Sequence, residues 1–83
     1  MRLLYFAWLK QRTGVAEEEV APPPSVTNVA SLLEWLKTRG PGHAAALKDL
    51  SVVRVAVNLE YVRADHPVRP GDEVALFPPV TGG

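Results

Sequence analysis

The sequence contains no cysteine, which removes disulfide staples, thiol nucleophiles and thiolate metal ligands together. Excess charge is also missing: nine Lys and Arg balance nine Asp and Glu, for a formal net charge of zero. Without a basic block the chain lacks the phosphate-neutralising charge that nucleic acid demands, so no nucleic-acid partner is predicted. Long apolar runs are absent. The run from Leu3 to Leu9 falls far short of the roughly 20 residues that span a bilayer. It also lacks the basic start and small-residue cleavage site of a secretory leader, so a soluble, cytoplasmic protein without a membrane partner is expected.

Catalytic constellations are equally scarce. His43 and His66 stand apart with no cysteine and no carboxylate at ligand spacing, so no metal site is predicted and each reads as an exposed or turn histidine. Ser25, Ser31 and Ser51 have neither a Gly-x-Ser-x-Gly setting nor a paired base. No glycine-rich loop joins a strand to a helix as a phosphate cradle would. Glu17-Glu18-Glu19 reads as a solvated edge.

What is present suits one small domain spanning 1–83, with an apolar content of 47% that is ample for a folded core. Leu3 to Leu9, rich in aromatics, predicts a buried first strand, and Gly14 a turn. Glu17 to Ala21 reads as a second strand that Pro22-Pro23-Pro24 ends. Val29, Leu32, Leu33 and Leu36 stand at i, i+3, i+4 and i+7, one apolar helix stripe. Thr27 or Asn28 is its N-cap, and Gly40-Pro41-Gly42 its stop. Ala44 to Lys48 suits a short second helical turn. Val53, Val55 and Val57 alternate with Arg54, Ala56 and Asn58, a strand with one apolar face. Asn58 to Tyr61 then turns into a short partner, Tyr61-Val62. Pro70-Gly71-Asp72 is a tight turn before the last strand, Glu73 to Phe77.

Strand, strand, helix, strand, short strand, strand is the order of an α+β β-grasp, the ubiquitin-like fold. It predicts a mixed sheet of four to five strands packed on one main helix, with the first and last strands side by side. Residues 78–83 then form an extended C-terminal tail, because Pro78-Pro79 forces the chain out of the sheet. Val80, Thr81, Gly82 and Gly83 complete it. A terminus without side chains can thread a narrow channel, and prolines at its base lower the entropy lost on capture. With no other reactive group in the chain, the terminal carboxylate of Gly83 is the candidate reacting group. As a poor electrophile it would need activation by an ATP-dependent enzyme, after which sulfur could replace AMP.

Phe77-Pro78-Pro79-Val80-Thr81-Gly82-Gly83 resembles the C-terminal signature of the small, sulfur-carrier subunit of molybdopterin synthase. Ala56-Val57-Asn58, Asp65-His66-Pro67, Gly71-Asp72-Glu73-Val74-Ala75 and the opening Leu4-Tyr5-Phe6-Ala7 extend the likeness over essentially the whole chain. The resemblance implies a cosubstrate in molybdenum cofactor biosynthesis rather than an enzyme acting alone. It implies that Gly83 is adenylated by a ubiquitin-activating-type enzyme, with the ATP used by that partner and no cofactor bound here. Gly83 then becomes a thiocarboxylate with sulfur from a sulfurtransferase or cysteine desulfurase. Finally it donates that sulfur inside the large synthase subunit to build the molybdopterin dithiolene. The tail residues Pro78, Pro79, Val80, Thr81 and Gly82 would thread the partner's channel.

Alternation along the outer strands predicts where that partner docks. If Val74 and Leu76 face the core, Phe77 faces away; if Leu3 and Tyr5 face the core, Leu4, Phe6 and Trp8 face away. Adjacent first and last strands would bring Phe6 and Phe77 into one aromatic patch, which Tyr61 extends. Three other readings stand beside this one. They are a thiamine-type sulfur carrier, a ubiquitin-like modifier conjugated through Gly83 to lysines, and a β-grasp interaction domain with an inert tail.

Overall fold

A computed structural model describes residues 1–79. Val80, Thr81, Gly82 and Gly83 lie outside the described residues, and with them the predicted reacting group and the distal tail. The elements in chain order are β1 (Arg2–Tyr5), α1 (Trp8–Thr13), β2 (Glu17–Glu19), α2 (Val29–Lys37) and α3 (Pro41–Ala46). A single 3-10 turn (Leu50–Val52) precedes β3 (Arg54–Val57), β4 (Glu60–Val62) and β5 (Glu73–Phe77).

The strands form one mixed sheet in the order β2-β1-β5-β3-β4. β1 and β5 run parallel at its centre, with Leu3 opposite Val74 and Tyr5 opposite Leu76. Every other pairing is antiparallel. Because side chains alternate along a strand, Leu3, Tyr5, Val55, Val57, Val74 and Leu76 all point to one face, where they are buried. α2 covers that face with its stripe of Val29, Leu32, Leu33 and Leu36, all buried. Asn28 is the cap: its side chain accepts from the Ser31 amide at 2.9 Å, while the Ser31 hydroxyl accepts from the Asn28 amide at 3.1 Å. Trp35 flanks the stripe, partly buried against the core.

Three sequence expectations need correction. The run Leu3 to Leu9 is a strand only as far as Tyr5, and Trp8 opens a helix. Ala7 makes the break, at φ 54 and ψ −132, a backbone region that L-residues with a Cβ seldom enter. The Leu9 amide closes the turn onto the Phe6 carbonyl at 3.1 Å, and Leu9, wholly buried, anchors α1. An apolar run this short carries no period that separates strand from helix. Second, Gly40-Pro41-Gly42 does more than stop a helix: α2 ends at Lys37 with Thr38 as its C-cap, and Gly40 caps α3, with Pro41 in its first turn. α1 and α3 then pack so closely that a Cβ on Gly42 would lie 2.5 Å from the Arg12 carbonyl oxygen. Third, the hairpin turn after β3 is Asn58-Leu59, at φ 50 and 71, the mirror-image turn that suits strand twist although no glycine is present.

Candidate docking face and tail root

Among the described residues, the sheet face opposite α2 carries no helix. Register places Leu4, Ala75, Ala56 and Tyr61 in one row across β1, β5, β3 and β4. The next row toward the tail holds Phe77 on β5 opposite Arg54 on β3. Phe6 continues β1 into this row, its amide donating to the Leu76 carbonyl at 3.1 Å. Phe6, one residue past β1, and Phe77, the last residue of β5, thus stand at the root of the tail. The ring that Phe77 meets is Tyr61, with centroids 5.5 Å apart and planes tilted by 46°.

These rings are open to solvent: Tyr61 is 81% exposed and Phe6 49%, while Phe77, Pro78 and Pro79 are half-buried. Two hollows flank the root. One is lined by Arg54, Val55, Tyr61, Val62 and Phe77, the other by Leu4, Tyr5, Phe6, Ala7, Lys10, Ala16 and Glu17. Trp8, expected on this face, instead starts α1 and packs partly buried against the core, because the turn at Ala7 resets the alternation.

The other face holds a polar cluster that the sequence did not announce. Glu18 pairs with Leu3 in register and so turns toward the helices, while Glu17 and Glu19 face solvent. Its carboxylate accepts from the Tyr5 hydroxyl at 2.8 Å and meets His43 Nε2 at 2.6 Å, with Arg39 Nη2 at 3.4 Å. The His43 ring stands edge-on to Tyr5, centroids 5.7 Å apart. Burial works to raise the Glu18 carboxyl, but hydrogen bonds from His43 and Tyr5 outweigh it and hold the group below the usual range. Burial, with the bond to Glu18, pushes the Tyr5 hydroxyl well up. Two expectations fail together here. Glu18 is not solvated, and His43 is neither exposed nor in a turn but half-buried on α3. His66 contributes backbone: its carbonyl accepts from the Val29 amide at 2.9 Å.

Among the described residues no three His, Asp or Glu side chains gather as a metal site would require. Among the same residues no helix is long and apolar enough to cross a membrane. What the described part offers is an apolar face with aromatic rings beside the end of β5.

A mixed sheet with its first and last strands parallel at the centre and one main helix across a face defines the β-grasp class. Within that class the chain belongs to the ThiS family, whose model matches residues 3–83. It is 39% identical over 83 residues to the molybdopterin synthase sulfur carrier subunit of Escherichia coli K12, covering 100% of this chain and 99% of that one. Among solved structures it resembles a putative molybdopterin converting factor subunit 1 from Pyrococcus furiosus, with TM-score 0.78, 36% identity and 95% of each chain covered. It also resembles SAMP1 from Haloferax volcanii, with TM-score 0.74, 28% identity and 100% and 98% covered.

Proposed function

We propose that this chain is the sulfur carrier of molybdopterin synthase, acting as a cytoplasmic cosubstrate through the carboxyl of Gly83. In this reading a ubiquitin-activating-type enzyme joins that carboxylate to AMP from ATP, releasing pyrophosphate. The persulfide sulfur of a sulfurtransferase or cysteine desulfurase attacks the acyl carbon and AMP leaves; a thiol then reduces the acyl disulfide so formed, becoming a disulfide itself. The resulting thiocarboxylate enters the large synthase subunit on the tail Pro78, Pro79, Val80, Thr81 and Gly82. There its sulfur passes to the pterin precursor of the dithiolene. Enclosure protects the thiocarboxylate from hydrolysis and orients it for attack.

One observation carries the reading. The central strand β5 ends at Phe77, beside an exposed aromatic face, and leads straight into Pro78-Pro79. A carrier needs this coupling of a docking face to a reactive end; an isolated binding domain does not. The name borne by the Escherichia coli relative adds support. Phe77, Phe6 and Tyr61 are assigned as the docking residues. The test is the intact mass of the protein after incubation with ATP, the adenylating enzyme and a sulfur donor. Exchange of one oxygen for sulfur at Gly83 is expected, and recovery of the unmodified carboxylate alone would overturn the proposal.

A second reading has its own observation, the likeness to SAMP1, a protein titled small archaeal modifier protein 1 in another of its structures. In it the same activated Gly83 is joined to lysine amines of other proteins. Isopeptide-linked Gly-Gly remnants on lysines in digests of cell extract would support this second use, and a search that finds none would remove it.

A further inference from the structure

The chain is neutral as a whole, yet its cations are not evenly spread. Arg54 lies opposite Phe77. Arg63 follows Val62, which pairs with Val55, so it lies one step further toward the same end of the sheet. α1 starts just beyond the Tyr5–Leu76 pair and carries Lys10 and Arg12. Lys48 shares a hollow of about 590 Å³ with Trp8, Arg12, Ala45 and Val52. Five of the nine basic residues, Lys10, Arg12, Lys48, Arg54 and Arg63, thus ring the end from which the tail leaves. All five are exposed. Among the described residues none of them is within 4.0 Å of a carboxylate, since the ion pairs there involve Met1, Arg2, Lys37, Arg39 and His43.

Three carboxylates stand near this end: Asp65, two residues past Arg63, Asp49, which lines the Lys48 hollow, and Glu17. Asp49 is held below the usual range by the Ser51 hydroxyl and amide, and Glu17 is paired with Arg2. At the far end of the sheet the balance reverses. Glu19, Glu60 and Glu73 stand there by register, with Asp72 beside them accepting from the Arg69 amide and from Asn58.

We infer that the cationic ring is a steering surface, and that the large synthase subunit receiving the tail presents acidic side chains around the mouth of its channel. This rests on the carrier reading above and adds the electrostatic character of the partner. Like charges clustered around the end of β5 orient it toward a rim of opposite sign, and raise the association rate more than they slow release. A phosphate backbone is the less fitting occupant, because the cations are split between the α1–α3 hollow and the Phe77 face instead of forming a continuous basic track.

The test is association kinetics of the full chain with the large subunit across a series of salt concentrations. For the wild type the on-rate should fall steeply as salt rises. Lys10→Glu/Arg12→Glu/Lys48→Glu/Arg63→Glu should cut the low-salt on-rate about tenfold or more, flatten its salt dependence and leave the off-rate within about threefold. Lys10→Glu/Arg63→Glu, which spares the α1–α3 hollow, should do the same in smaller measure. Glu19→Lys/Glu60→Lys at the far end should leave the on-rate within about twofold. A salt-independent wild-type on-rate, or a defect confined to the off-rate, would overturn the inference while leaving the carrier reading intact. Failure of the wild type to bind would instead overturn the carrier reading and the inference with it. Salt-sensitive capture of a fluorescent single-stranded DNA that competes with the large subunit would overturn it in favour of a nucleic-acid surface.

Discussion

Tyr61 reaches Phe77 from two strands away, ring centroids 5.5 Å apart with β3 between them. The residue opposite Tyr61 on β3 is Ala56, whose small side chain leaves room for the ring to lean across. The last aromatic of β5 is thereby braced beside the exit of the tail. Phe77→Ala should raise the Kd for the large subunit roughly 30-fold, the order of about 2 kcal/mol for a central aromatic anchor. The melting temperature should hardly move, since the ring lies outside the core. Tyr61→Ala, at the exposed rim, should cost less, and titration calorimetry of both variants checks the order. Equal affinities for Phe77→Ala and wild type would relocate the docking face.

Glu18 ties β2 to β1, the α2–α3 connection and α3 through Tyr5, Arg39 and His43. Its carboxyl is held below its unfolded value, so the folded state binds that proton less readily than the unfolded chain does. The stabilisation is therefore fully present above the unfolded carboxyl range, about pH 4.5, and is lost as pH falls through the lower folded value. Thermal melts from pH 6 down to about pH 3 should show the wild type losing stability faster than Glu18→Gln. Glu18→Ala leaves the buried Tyr5 hydroxyl unpaired and should cost about 1–3 kcal/mol at neutral pH. Parallel pH slopes for wild type and Glu18→Gln would show that the cluster does not titrate as described.

The two features differ in how far the sequence discloses them. Phe6 and Phe77 could be placed at the ends of adjacent strands because alternation and the β-grasp order both survive in the pattern. The α2 stripe and its cap were legible for the same reason: Val29, Leu32, Leu33 and Leu36 repeat with the helix period. Glu18 could not be read, because three consecutive glutamates look alike until strand register sends the middle one inward against Leu3. α1 was hidden because its start depends on a positive φ at Ala7, which no glycine advertises. His43 was misjudged because its carboxylate partner lies 25 residues away in sequence, and such pairings are set by packing, not by local pattern.

Gly42 is required by packing. A methyl group there would meet the Arg12 carbonyl at 2.5 Å, and a backbone atom cannot swing aside as a side chain can. Gly42→Ala should therefore push α3 from α1 and destabilise the fold by about 1–3 kcal/mol despite the better helix propensity of alanine. A urea denaturation curve measures this, and a midpoint at or above that of wild type would refute it.

Ala7 presents the opposite case, a residue whose Cβ is a burden. Its φ of 54 and ψ of −132 suit the first central position of a tight turn in which glycine is favoured. Holding alanine there costs on the order of 1–3 kcal/mol, while glycine adds roughly 0.5–1 kcal/mol of unfolded-state entropy. Ala7→Gly should consequently stabilise the protein by about 1 kcal/mol. The neighbouring Phe6 is pinned separately, through its amide on the Leu76 carbonyl at 3.1 Å, so its place at the tail root does not depend on the strain. Affinity for the large subunit should thus stay within about twofold while the denaturation midpoint rises. A lower midpoint would mean that Ala7 is not strained in solution, and a loss of affinity would mean that the strain itself holds Phe6 in place.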